Sequence, residues 1–160
     1  MDSQSVKSAE GGEARGYDAH KRCLGRKRHI LVDTLGLLLA ALVTGADVQD
    51  RDAAKVLLTS FYRDFFQSCH LKRIWADAGY QGALILWVQA ACDWLLDIVK
   101  RDKQTTGFVL LPKRWIVERT FSWFVRNRRL ARDFERLPQS SEAFLYVAMI
   151  RLMTIRLAEF

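Results

Sequence analysis

Cysteine is scarce in this chain: Cys23, Cys69 and Cys92 are three residues, odd in number and scattered. That excludes a disulfide framework and, with no signal peptide in view, points to a reducing cytoplasm. His20 with Cys23, and Cys69 with His70, lack the paired C-x-x-C spacing of zinc sites, so the cysteines read as structural. Long apolar runs are missing too. The run from Leu35 to Ala46 falls short of the roughly 20 residues that span a bilayer, and the C-terminal apolar stretch is broken by Arg151 and Arg156. No membrane partner is expected. Internal repeats and low-complexity tracts are also lacking, which excludes solenoid and linker-like architectures.

What is present supports a packed domain. Hydrophobic residues make up 50% and charged residues 27% of 160, enough for one core of ordinary size. Lys and Arg number 25 against 18 Asp and Glu, a formal charge of +7 that favours a polyanionic partner such as nucleic acid. Distribution says more than the total. Between Pro112 and Arg136 stand eight basic residues (Lys113, Arg114, Arg119, Arg126, Arg128, Arg129, Arg132, Arg136) against Glu118, Asp133 and Glu135. A second cluster is Lys21-Arg22 with Arg26-Lys27-Arg28.

Residues 1–20 are polar and glycine-bearing and would not hold an element alone. His29 to Asp33 and Leu37 to Val43 read as strands joined at Leu35-Gly36, a hairpin. Asp50 or Asp52 caps a helix to about Phe66. Strands at Lys72–Asp77 and Trp94–Val99 flank a helix over 83–92, and Arg101 to Gly107 is a loop. Pro112 opens a helix expected to run to Arg132, and Ser141 caps a last helix to about Leu157. Strands alternating with helices predict a mixed-sheet α/β domain.

Two carboxylates stand out. Asp77 ends the strand Ile74-Trp75-Ala76 just before the turn Ala78-Gly79-Tyr80, the carboxyl end of a strand where open α/β sheets place ligands. The bland alternative is ordinary aspartate turn chemistry. Glu118 lies among arginines on a helix, at the border of the predicted packing face of Val117, Phe121 and Phe124. Its bland alternative is an i−4 ion pair with Arg114. Carboxylates beside arginines suit Mg²⁺ or Mn²⁺ on a phosphodiester, and a two-metal site needs a third acid. Strand position favours Asp33 for that role; physical reasoning alone leaves the choice open.

Several ordered stretches together resemble the DDE transposases of bacterial insertion sequences. They are Asp2-Ser3-Gln4-Ser5-Val6-Lys7, Gly16-Tyr17-Asp18-Ala19, Gly25-Arg26-Lys27-Arg28-His29-Ile30-Leu31-Val32-Asp33 and Val48-Gln49-Asp50-Arg51-Asp52. Trp75-Ala76-Asp77-Ala78-Gly79-Tyr80, Trp115-Ile116-Val117-Glu118-Arg119-Thr120-Phe121 and Ala148-Met149-Ile150-Arg151-Leu152 complete the series. The resemblance implies an RNase H-like mixed sheet flanked by helices, with residues 1–160 forming the catalytic domain. It implies Asp2, Asp77 and Glu118 as catalytic, metal-holding acids, with Asp33 structural, and Mg²⁺ or Mn²⁺ as cofactor. It implies double-stranded DNA at element ends and target as partner, with a homodimer on paired ends, in the cytoplasm with the nucleoid. Lys27, Arg28, Arg114, Arg119, Arg126 and Arg129 are the expected DNA-binding residues.

Two positions depart from the family pattern: Leu111 stands where a tyrosine is usual and Val125 where a lysine is usual, with Arg126 adjacent. Only Met1 precedes Asp2, so the first strand is expected to be incomplete, upstream strand residues and an end-recognition domain lacking, and the isolated chain weakly stable and catalytically silent. The rival reading is an inactive remnant that binds DNA through its basic helix. A structure-specific nuclease on the same fold fits the flanking motifs less well.

Overall fold

The computed structural model describes residues 1–9, 12–65, 71–100 and 113–158. The expected loop over 101–107, together with Cys69, His70, Leu111 and Pro112, lies outside the described residues.

The central strand is β3 (Cys23–Val32). It pairs antiparallel with β1 (Asp2–Lys7), from Asp2 opposite Ile30 to Lys7 opposite Gly25. It also pairs with the short β2 (Gly16–Asp18) and with β4 (Leu38–Gly45), the hairpin partner read from the sequence. Gly25 is required where β1 crosses: a Cβ there would lie 2.1 Å from the Val6 carbonyl oxygen. The hairpin turns at Gly36, whose φ of 84° is open to glycine at little cost. Asp33 holds that turn, its Oδ1 accepting from the amides of Leu35 and Leu37, so its role is structural.

After α1 (Asp50–Phe65) the chain forms β5 (Arg73–Ala76), a single 3₁₀ turn over Ala78–Tyr80, α2 (Ala83–Cys92) and β6 (Leu95–Ile98). β5 and β6 pair in parallel, Arg73 opposite Leu95, as a strand–helix–strand unit does. Then follow α3 (Arg114–Val125) and α4 (Pro138–Ala158). The fold class is α/β, with antiparallel and parallel strands and helices on both faces, consistent with an RNase H-like domain.

Side-chain alternation along β3 sets the two faces. Leu31 packs with Leu57, Leu58, Phe61, Ile74, Leu84, Val88 and Trp94 beneath α1 and α2. Its neighbour Ile30 packs with Val117, Phe121, Phe124, Leu145 and Met149 beneath α3 and α4.

Three local readings are corrected. The polar segment 2–7 forms a full strand because β3 supplies its ladder. The helix expected to reach Arg132 stops at Val125, where the Asn127 side-chain amide donates to the carbonyls of Trp123 and Phe124, and a separate 3₁₀ turn carries Arg128–Leu130. The last helix starts at Pro138 rather than at a Ser141 cap. Ser141 is buried, with its hydroxyl donating to Asp133 at 2.7 Å.

Candidate active site

The first strand delivers Asp2 and the fifth delivers Asp77, from two different sheets, to one narrow crevice. Met1, Trp75, Ala76, Val99, Lys113, Arg114 and Val117 line it with them. Asp2 is held by its pairing with Ile30, and its Oδ1 accepts from the Ser3 amide at 2.7 Å. Asp77 stands just beyond β5 and caps the 3₁₀ turn, its Oδ1 accepting from the Gly79 amide at 2.8 Å. Asp77 makes turn chemistry with one oxygen and also lines the crevice.

The electrostatics of the crevice are set chiefly by burial. Burial pushes the Asp2 carboxyl up to about 6, the nearby Asp77 charge adding to the shift, while the Ser3 amide, the chain's ammonium and Arg114 oppose it. The Met1 ammonium donates to the Trp75 carbonyl at 2.8 Å. Burial pushes it down to about 6 against the pull of Asp2 and Asp77. Arg114 faces Asp2 from α3 while its Nε lies 3.1 Å from Glu118 Oε1.

Glu118 does not line this crevice. Its side chain is 55% exposed, one helical turn from Arg114, not at the core border the helical pattern predicted. The i,i+4 pair is what the structure holds. Among the described residues no three His, Cys, Asp or Glu side chains stand close enough together to hold a metal ion.

The expected DNA contacts divide in the same way. Lys27 and Arg28 turn inward. Lys27 is 7% exposed, donates to the Val48 carbonyl and lies 3.3 Å from Asp50. Arg28 is 1% exposed and donates to the Leu130 carbonyl at 2.7 Å. Both sit on a strand covered on two faces, so their charges are spent inside the fold, and the structure corrects the expectation that they meet DNA. Arg119 lies over Trp115 and Trp123 and donates to the Leu35 carbonyl. Arg126 and Arg129 are exposed on the turn after α3, Arg129 pairing with Glu135 at 2.7 Å.

One group escaped the sequence reading. Asp50, taken as a helix cap, accepts from the Ser3 hydroxyl at 2.8 Å and lies 3.9 Å from the buried His29 ring. The hydrogen-bond path Asp2–Ser3–Asp50 thus runs from the crevice to α1. The adjacency of Asp2 and Ser3 hinted at it, but only the β1–β3 register brings Asp50 there.

The chain matches the family described as the transposase DDE domain over residues 1–153. It is 35% identical over 126 residues to a Burkholderia cepacia protein named as a transposase for insertion sequence element IS402. That match covers 76% of this chain and 59% of the relative, so the chain spans less than two thirds of the relative's length. No solved structure matches.

Proposed function

The chain belongs to the transposase DDE domain family, and on that premise we propose that it provides the catalytic residues of an insertion-sequence transposase, which hydrolyses a phosphodiester at the element's end and transfers the freed strand to target DNA. The observation that carries this reading is the meeting of Asp2, Asp77 and Arg114 in one crevice, drawn from β1, β5 and α3.

A hard divalent cation fits that pair. Burial, with the Asp77 charge adding to it, raises the Asp2 carboxyl to about 6, and a doubly charged ion with oxygen preference would favour its charged form. Asp2 and Asp77 would hold it, and Glu118 would join by exchanging its contact with Arg114. When bound, Mg²⁺ or Mn²⁺ would supply Lewis-acid polarisation of the phosphoryl group and an activated attacking oxygen. The chain's own residues orient the substrate. Arg114 sits between Asp2 and Glu118 with a guanidinium suited to a phosphate oxygen. Arg119, Arg126 and Arg129 follow on α3 and the turn after it, where they would track the DNA backbone. Paired ends and a homodimer belong to the same proposal.

The test is cleavage of duplex DNA carrying the element's terminal repeats, with Mg²⁺. Asp77→Asn and Glu118→Gln should each abolish cleavage and leave duplex binding in a mobility-shift assay nearly intact. Cleavage that survives Asp77→Asn sinks the proposal. A specific observation favours the second reading, an inactive remnant that only binds DNA: Glu118 is exposed and paired with Arg114. Duplex binding without cleavage by the unsubstituted chain would decide for it.

A further inference from the structure

Arg151 and Arg156, which break the apolar stretch at the end of the sequence, meet the end of α3 in the fold. A groove of about 180 Å³ runs between α3 and α4 there. Trp123 and Arg126 line it from α3, Arg151, Leu152 and Ile155 from α4, and no Asp or Glu is among its lining residues. Both arginines are exposed. Elsewhere arginines of this chain meet carboxylates: Arg73 holds Asp97, Arg114 holds Glu118 and Arg129 holds Glu135. Among the described residues Arg126 and Arg151 meet none. Two further guanidiniums stand beside them, those of Arg119 and Arg156, stacked 4.9 and 4.4 Å from the centre of the Trp123 ring. The bland account of Arg126 is its place at the C-terminal end of α3, where the helix dipole favours a cation. That account does not reach Arg151, well inside α4.

A concave surface with positive charge on both walls and no acid selects a polyanion. A second copy of the chain, itself at +7, would bring like charge against it. A DNA strand brings regularly spaced phosphates, with sugars between them to lie on Leu152 and Ile155. We propose that the α3–α4 groove is a backbone clasp for one strand of the DNA whose end lies in the crevice, with Arg126 and Arg151 donating to phosphate oxygens from opposite walls. The length of α3 gives the register. Its 12 residues carry the chain about 18 Å from Arg114 to Arg126. One strand of a duplex has a phosphate about every 3.4 Å, so the clasp takes a phosphate roughly five linkages from the one that Arg114 meets. The strand thus leaves α3 across α4. This placement rests on reading the crevice as the site that holds the DNA end.

The experiment measures binding of the full chain to duplex DNA carrying the element's terminal repeats, by mobility shift across a salt series. The unsubstituted chain, Arg151→Gln and Arg114→Gln are compared. Arg151→Gln removes an exposed charge, so its melting temperature should not move, while the slope of log affinity against log salt should flatten by about 0.9. Uncharged methylphosphonate linkages, placed one at a time inward from the terminal bond, locate the contact. One at about the fifth position should weaken the unsubstituted chain and leave Arg151→Gln no weaker than it already is. An unchanged slope in Arg151→Gln overturns the proposal, as does a series in which every neutral linkage weakens the two chains equally. If Arg114→Gln flattens the slope and Arg151→Gln does not, the clasp alone fails. If Arg151→Gln alters the sedimentation of the free chain and not its salt slope, a second copy fills the groove and the proposal is overturned. If the unsubstituted chain does not bind the duplex, the proposed function fails and the clasp falls with it.

Discussion

Arg26 on β3 and Asp133, after the last 3₁₀ turn, form an ion pair of 3.1 Å in which neither side chain is exposed to solvent. The guanidinium also donates to the carbonyls of Glu13, Glu135 and Arg136 and to the Ser141 hydroxyl. One side chain thereby ties the central strand to the segment between α3 and α4. Removing one partner of such a pair strands a buried charge, at about 3–5 kcal/mol. Arg26→Met and Asp133→Leu should each lower unfolding free energy by that order in urea titrations, and the double variant should recover part of the loss. A single-variant loss under about 1 kcal/mol would show that the pair is not what joins these segments.

The acid range should reveal two opposed titrations. Asp2 is raised from its usual 3.8 to about 6, chiefly by burial, so its stabilising contribution is whole below 3.8 and lost as pH rises through 6. His29 is lowered by burial from 6.5 to about 4, so stability withheld at low pH returns as pH rises from 4 towards 6.5. Each tenfold change in a protonation equilibrium is worth about 1.36 kcal/mol, so displacements of similar size and opposite sign nearly cancel in metal-free buffer. Asp2→Asn should therefore gain stability as pH rises from 4 to 6.5, whereas His29→Gln should lose it from 3.8 to 6. Urea midpoints across that range check both signs, and parallel curves for the two variants would contradict the assignment.

DNA binding should be steeply salt-dependent. Each phosphate neutralised contributes about −0.9 to the slope of log affinity against log salt. Replacing Arg126 and Arg129 together with Ala should flatten that slope by about two units if both touch phosphates. An unchanged slope would leave them a solvated face, with Arg129 serving only Glu135 and the Phe144 ring it covers.

The crevice has an apolar neighbour. A groove of about 360 Å³ lies beside Met1, between Leu31–Asp33 of the β3 end and Arg73–Trp75 of β5, and Leu39, Ile116 and Val117 also line it. β1 pairs with β3 only from Ile30 downwards. Roughly ten residues added before Met1 in extended conformation should fill this groove, replace the buried ammonium with an amide and raise the melting temperature. At about 2–4 °C per kcal/mol for chains of this size, a shift of several degrees is expected in a thermal melt. An unchanged or lower melting temperature would mean that the groove does not accept a strand.

Much of the fold was legible because apolar periodicity was undisturbed: the hairpin around Gly36, α1 from Asp50, and the β5–α2–β6 unit follow the pattern closely. The departures share a cause, side chains whose tertiary partners outweigh their local preference. Ser3, Gln4 and Ser5 lack strand character, yet the β3 register makes them one. Arg26 and Arg28 read as surface charge because the carbonyls of Glu135 and Arg136 that Arg26 meets, and that of Leu130 that Arg28 meets, lie more than a hundred residues away. The place of Asp77 after a strand was legible, and the structure puts it just beyond β5 at the crevice. Glu118 stood out among the arginines of its helix, but the core border expected for it is not where the helix puts it: its side chain is presented to solvent.

Asp2 and Asp77 belong to different sheets. Among the described residues, the backbone hydrogen bond that bridges these sheets is the one from the Met1 ammonium to the Trp75 carbonyl; otherwise Leu31 and Ile74 hold them by packing, which has no fixed register. The gap between the carboxylates is thus the opening of a caliper whose jaws are separate layers. Slippage of about 1 Å between the layers moves one acid against the other by the same amount, a displacement worth about a hundredfold in rate where chemistry depends on placement. Whatever clamps the layers, a strand in the groove or DNA laid across both, therefore sets the width of the site.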